Sequence, residues 1–304
     1  MLRYQANALL FFAAFCWGIG NVAQKTVLDD LGPMVAMGLR SLIAAIVIAP
    51  LVWREARASS HHSDEFWQAL AQISVVFVLA LATQQWAYGG TSVTNASFLV
   101  NTTVVFTPVL AWLMMRERAD LILVPSIGLA ISGILLMGGG LYALRWGDAM
   151  CIVSALLYSI WIVLVADAMR KFERPFAIAG CQFALAAIVG MSSGLAIEGV
   201  SVQALGNAAP ELAVLGIVST GIPYTLQAIA QRHTPPSHAA IIMSAESIFG
   251  AAAAAIFLSE QMGVMNGIGA MMIIASIGLI QLPTRSWPGK RAAGLAHPTY
   301  HPKR

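Results

Sequence analysis

Long apolar runs, each bounded by proline, glycine or charge, recur along the whole chain. Runs of spanning length fall at about 7–27, 33–53, 70–90, 94–115, 121–141, 148–168, 176–197, 211–231, 237–259 and 264–282. A helix that crosses hydrocarbon needs about 20 predominantly apolar residues, so the pattern predicts ten membrane-spanning helices. Gly32-Pro33, Arg174-Pro175, Pro210 and Pro235-Pro236 mark helix starts, because proline suits a first helical turn. The first run continues past Gly20 into Asn21, Gln24 and Lys25, which reads as a mature span and not as a cleaved leader. Residues 284–304, with Pro288, Gly289 and Pro298, read as a polar, disordered tail on the cytoplasmic side.

Composition narrows the class. Hydrophobic residues make up 58% of the 304 and charged residues 10%, against about 25% charged in soluble domains. An all-α polytopic membrane protein with the lipid bilayer as its surroundings is expected, with no cofactor. No connecting segment is long enough for a nucleotide-hydrolysing domain. The formal charge of +3 is spread over short loops, which gives nucleic-acid binding no support. Cys16, Cys151 and Cys181 each sit inside an apolar run and read as packing residues, with no metal site implied. Fourteen of the 17 Lys and Arg residues fall on the side of the amino terminus, and only Lys25 and Arg145 fall in loops on the other. Because cytoplasmic loops carry the basic excess, both termini are expected inside, with the chain in a bacterial inner membrane.

Sliding the sequence by 143 positions lays Thr94–Arg118 over Ser237–Gln261 and matches Ala96 with Ala239, Phe106 with Phe249, Ala111 with Ala254 and Glu117 with Glu260. Five spans are an odd number, so a second copy enters from the opposite face. The expected organisation is two inverted five-helix repeats, 1–143 and 144–283, followed by the tail 284–304.

Several segments, in order, resemble the EamA-like branch of the drug/metabolite transporter superfamily. They are Trp17-Gly18 with Lys25; Leu39-Arg40 before an Ala-rich run ending at Pro50; Ala96–Pro108 followed by Arg116-Glu117-Arg118; Gly147-Asp148; Thr220–Tyr224 with Gln227 and Gln231; Glu246; and Ser259-Glu260 before a Gly-rich last helix. The family pattern often places Pro directly after the Glu of the ninth span, where this chain has Ser247. The resemblance implies a secondary transporter, not an enzyme, that exports small metabolites such as amino acids or related compounds. A drug or dye efflux carrier and a metabolite importer are the alternatives.

Arg40 and Glu246 carry the largest insertion cost, since a charge near a helix centre costs about 2.5–3.5 kcal/mol. Both must face protein or water, and their depths allow them to pair directly or through water. The remaining substrate-site candidates are polar or aromatic residues within spans: Trp17, Asn21, Gln24, Gln85, Trp86, Tyr88, Asn101, Thr103, Tyr158, Trp161, Tyr224, Gln227 and Ser244. Polar groups in hydrocarbon need partners, and aromatic faces with a few such groups make small-molecule pockets. Pro108 and Pro223 free backbone carbonyls within helices and are candidate gates, and Glu117 and Glu260 are candidate structural residues at helix ends. Asp167 is expected to pair with Arg170 or Lys171 one turn on. The expected partners are a small-molecule substrate and protons as coupling ion, with the monomer as the working unit. An embedded enzyme, a channel and a non-transport partner protein are the readings from other classes. No His-Glu-x-x-His run, Gly-x-Ser-x-Gly turn or clustered Asp supports the enzyme.

Overall fold

The computed structural model describes residues 1–58, 63–116, 121–137, 145–259 and 263–282, and every regular element among them is helical. The first half contains α1 (Arg3–Thr26), α2 (Pro33–Ala58), α3 (Asp64–Ala87), α4 (Val93–Val100), α5 (Thr103–Met115) and α6 (Leu123–Met137). The second contains α7 (Trp146–Phe172), α8 (Pro175–Ile197), α9 (Val202–Asn207), α10 (Ala209–Ala213), α11 (Ile222–Gln231), α12 (Pro236–Met243), α13 (Glu246–Phe257) and α14 (Val264–Gln281). Between α10 and α11 the chain winds as a π-helix over Val214–Gly221.

Among the described residues nine helical segments are long and apolar enough to cross a membrane, one short of the ten expected. The difference lies at α6, whose 15 residues reach about 22 Å at 1.5 Å per residue. The segment expected over 121–141 runs on into 138–144, outside the described residues, as do Glu117, Glu260 and the tail. The third span begins at Asp64, well before the expected 70, because Ser63 caps it by accepting the Phe66 N–H at 3.2 Å.

Among the described residues two spans are interrupted within their length. The fourth breaks at Asn101-Thr102 and the ninth at Ser244-Ala245, neither at a proline. Side chains at both breaks compete with the backbone ladder: Asn101 Nδ2 donates to Ser97 O at 2.7 Å, Thr102 Oγ1 to Leu99 O at 2.6 Å and Ser244 Oγ to Ile241 O at 2.6 Å. The ninth span therefore bends without the proline that Ser247 replaces. The eighth is loosened by its π-helix, where Thr220 Oγ1 reaches Leu215 O at 2.7 Å, just before Pro223.

Helices α2 and α8 form the closest antiparallel pair. A Cβ added at Gly38 would lie 2.5 Å from Met191 N, and one at Gly190 would lie 2.5 Å from Gly38 N, so both positions require glycine. Each helix ends in a glutamate that caps the start of the other. Glu55 accepts the N–H groups of Phe176 and Ala177 at 3.3 and 2.7 Å, and Glu198 those of Met34 and Val35 at 2.9 Å each. Gly199, at φ 69°, then closes α8 in the left-handed region. Around this pair α3 packs on α7, α6 on α14, and α1 on α11, α13 and the π segment.

Candidate functional site

The interrupted and loosened spans meet around a narrow cavity of about 50 Å³. Helix α1 supplies one stripe of it, Trp17, Asn21 and Gln24, spaced four and three residues apart, which puts them on a single helical face. Arg40 enters from α2, Gln84 from α3, and Asn101 and Thr103 from the break of the fourth span. The other half contributes Tyr158 and Trp161 from α7, Ser219 from the π segment, Tyr224 and Gln227 from α11, and Glu246 from the start of α13.

Arg40 is 1% exposed, and neutral acceptors hold it. Its Nε donates to Thr220 Oγ1 at 2.8 Å, one terminal nitrogen to Gln24 Oε1 at 2.6 Å, and the other to Ser219 O and Oγ at 3.4 and 3.3 Å. The π turn makes this possible, because it brings Ser219 and Thr220 together onto the face toward α2. Glu246 stands apart. Its Oε1 accepts from Asn21 Nδ2 at 2.9 Å, and the same amide donates to Ser97 Oγ at 3.0 Å. Arg40 and Glu246 thus line one cavity but form no direct ion pair, which corrects the direct pairing their depths allowed. The physical reason is that Gln24 and Asn21, one helical turn apart on α1, each engage one of the two charges.

Aromatic rings form the opposite wall. The Tyr224 ring meets Trp17 edge-on at 5.0 Å, Phe77 at 4.9 Å and Trp161 at 5.4 Å between centroids. The Tyr158 and Tyr224 hydroxyls lie 3.0 Å apart, and Tyr158 also donates to Gln84 Oε1 at 2.8 Å. Two buried donors on lining residues, Trp17 Nε1 and Gln24 Nε2, have no hydrogen-bond partner among the described residues.

Four sequence candidates stand elsewhere. Trp86 is 55% exposed and cannot share a face with its neighbour Gln85, since each helical residue turns by about 100°. Gln85, Tyr88 and Ser244 are fully buried but do not line the cavity. Pro108 is within α5, and Pro223 is buried at the start of α11. Asp167 pairs with Lys171 at 2.9 Å as expected. The lining also includes Gln84, in the polar and aromatic stretch of the third span with Gln85, Trp86 and Tyr88, and Ser219, which sequence reasoning did not single out. The signal for Ser219 was its place beside the Gly221-Ile222-Pro223 turn.

Side-chain bonds join the two halves at both ends of the helix bundle. On one face Thr91, in the turn between α3 and α4, donates to Asp148 Oδ1 in the first turn of α7, and Lys25 Nζ donates to Tyr88 O and Thr91 O at 2.7 and 3.2 Å. On the opposite face Thr234, in the turn between α11 and α12, donates to Asn7 Oδ1 near the start of α1 at 3.0 Å. Nearby, Arg232 pairs with Glu173 at 2.6 Å.

The sequence matches the model of the EamA-like transporter family twice, over residues 5–139 and 145–282. An uncharacterized transporter of Archaeoglobus fulgidus is 25% identical over 289 residues, covering 92% of this chain and 87% of its own length. A second from that organism is 25% identical, covering 91% and 98%, and one from Methanothermobacter thermautotrophicus is 26% identical, covering 95% and 88%. A solved crystal structure superposes on 91% of this chain and 96% of its own with a TM-score of 0.73 at 16% identity, which speaks to the fold alone.

Proposed function

Because the chain belongs to the EamA-like transporter family, we propose that it is a secondary carrier exporting a small polar or aromatic metabolite by alternating access between two inverted five-helix repeats. The observation that carries this reading is the cavity at two interrupted spans whose breaks are matched. Helices α4 and α12 start 143 residues apart, at Val93 and Pro236, and so do α5 and α13, at Thr103 and Glu246. The α1 and α7 starts, Arg3 and Trp146, keep the same spacing. Interrupted helices in corresponding positions of two halves are where transporters of inverted design bind substrate.

Packing supports the same relation. Exchanging the halves turns the contact of α1 with the eighth span into that of α7 with α3, and the contact of α7 with the fourth span into that of α1 with the ninth. The pairs α2 with α8 and α6 with α14 map onto themselves, and the capping residues Glu55 and Glu198 are 143 apart. On this reading the chain has ten spans, both termini are cytoplasmic and the membrane is a bacterial inner membrane. The sidedness rests on the basic loop residues.

The lining argues for the cargo. Arg40 and Glu246, neither in an ion pair among the described residues, offer a solute opposite charges beside aromatic rings. Amino acids or related metabolites fit that chemistry, and export follows the family resemblance. Counterflow in proteoliposomes containing only this chain tests the proposal. Saturable exchange of a labelled amino acid or related metabolite is expected, whereas flux that never saturates indicates a channel and none across a broad solute panel removes the carrier reading.

A further inference from the structure

Thr91 and Thr234 are 143 residues apart, each in the turn that precedes the first half of an interrupted span. Each is buried, at 5% and 1% exposure, and each hydroxyl donates to a side-chain oxygen near the start of the other repeat's first helix, Asp148 on α7 and Asn7 on α1. From this we infer that the two threonines are paired latches, Thr91 closing the cavity on the outer face and Thr234 on the cytoplasmic face, and that transport releases them in turn.

The geometry fits a latch better than a static tie. Each bond joins an inter-helix turn of one half to a helix start of the other, so separating the halves on one face must break one bond and leaves the other intact. Both are made in this structure, at opposite ends of the helix bundle. Around the outer latch the backbones approach closely. A Cβ at Gly147 would lie 2.5 Å from Gly90 C, and the Lys25 ammonium is drawn onto the carbonyls of Tyr88 and Thr91. Around the inner latch the Arg232–Glu173 pair is about half exposed, at 45% and 51%, so the part-buried Thr234–Asn7 bond is the more sheltered contact there. The inference rests on the alternating-access reading and adds which contacts gate it.

The test uses the full chain in membrane vesicles of both orientations. Cys16, Cys151 and Cys181 are replaced by Ala and a single cysteine is placed at the cavity residue Met243. A membrane-impermeant maleimide then reports access from each face. Thr91→Val is expected to raise external labelling by about tenfold or more, the population shift that follows loss of one hydrogen bond to a charged group. Thr234→Val is expected to raise cytoplasmic labelling instead, and Thr91→Ser and Thr234→Ser, which keep the hydroxyl, are expected to label as the parent does. Asp148→Ala and Asn7→Ala remove each bond's acceptor and serve where a threonine variant fails to insert. Changes on the same face for both latches, or labelling from both faces that no latch variant alters, overturns the inference and leaves the carrier reading standing. A cavity cysteine reached from only one face in every variant defeats both.

Discussion

At the residue scale the cavity separates its charges by engaging each with a neutral side chain from α1. Gln24 accepts from Arg40 and Asn21 donates to Glu246, so the energetic partner of each charge is an amide. Residues that share a hydrogen bond couple, whereas residues without one come closer to additivity. A thermal-stability cycle of Arg40→Ala with Gln24→Ala should therefore show a coupling of about 1–2 kcal/mol, larger than the cycle of Arg40→Ala with Glu246→Ala. Equal couplings in the two cycles would mean the charges sense one another as strongly as they sense their amides. The single Arg40→Ala change should cost several kcal/mol, since it leaves Thr220, Gln24 and Ser219 with unpaired buried atoms.

Much of this site could be read from the sequence, because Arg40, Glu246 and the Trp17-Asn21-Gln24 stripe are costly in lipid wherever they point. Their partners could not. Thr220 and Ser219 reach Arg40 only because the eighth span is wound as a π-helix, and no residue periodicity announces that extra turn. Trp86 misled for the opposite reason: an aromatic near a helix end is equally at home against lipid.

At the scale of elements, α2 and α8 brace each other along their length. The sequence placed both helices but gave no sign that Glu55 and Glu198 cap each other's helix, because each bond spans more than 120 residues of chain. Losing an N-terminal cap costs about 0.5–2 kcal/mol, so Glu55→Ala and Glu198→Ala should each lower the melting temperature in detergent. The caps lie at opposite ends of the pair, and their effects should add within about 0.5 kcal/mol. A double variant no less stable than either single would show that the two caps form one unit. Gly190→Ala should be worse than either, since its Cβ would meet Gly38 backbone at 2.5 and 2.6 Å with no flexible side chain to yield. The breaks in the fourth and ninth spans escaped the sequence altogether, for they depend on Asn101, Thr102 and Ser244 turning onto carbonyls of their own helices.

At the scale of the whole molecule, the proposed topology and the proposed latches make predictions that can be tested together. Single cysteines at Asp64 and Gly206, both exposed, and the latter with nothing within 4 Å of its Cβ, should label from opposite faces, Asp64 from the cytoplasm. The two latches are unequal in chemistry. The outer one ends on the Asp148 carboxylate and is reinforced by the Lys25 ammonium, while the inner one joins a hydroxyl to the neutral amide of Asn7. Hydrogen bonds with one ionised partner are roughly twice as strong as neutral ones, so the outer face should stay shut while the inner opens more readily. An exporter gains from that bias, because its empty cavity then waits for cargo on the cytoplasmic side. Without substrate, the Met243 cysteine should label faster from the cytoplasmic face than from outside, and Lys25→Met should narrow the difference by loosening the outer turn. Faster external labelling of the resting protein would reverse the order of the two latches and favour uptake over export.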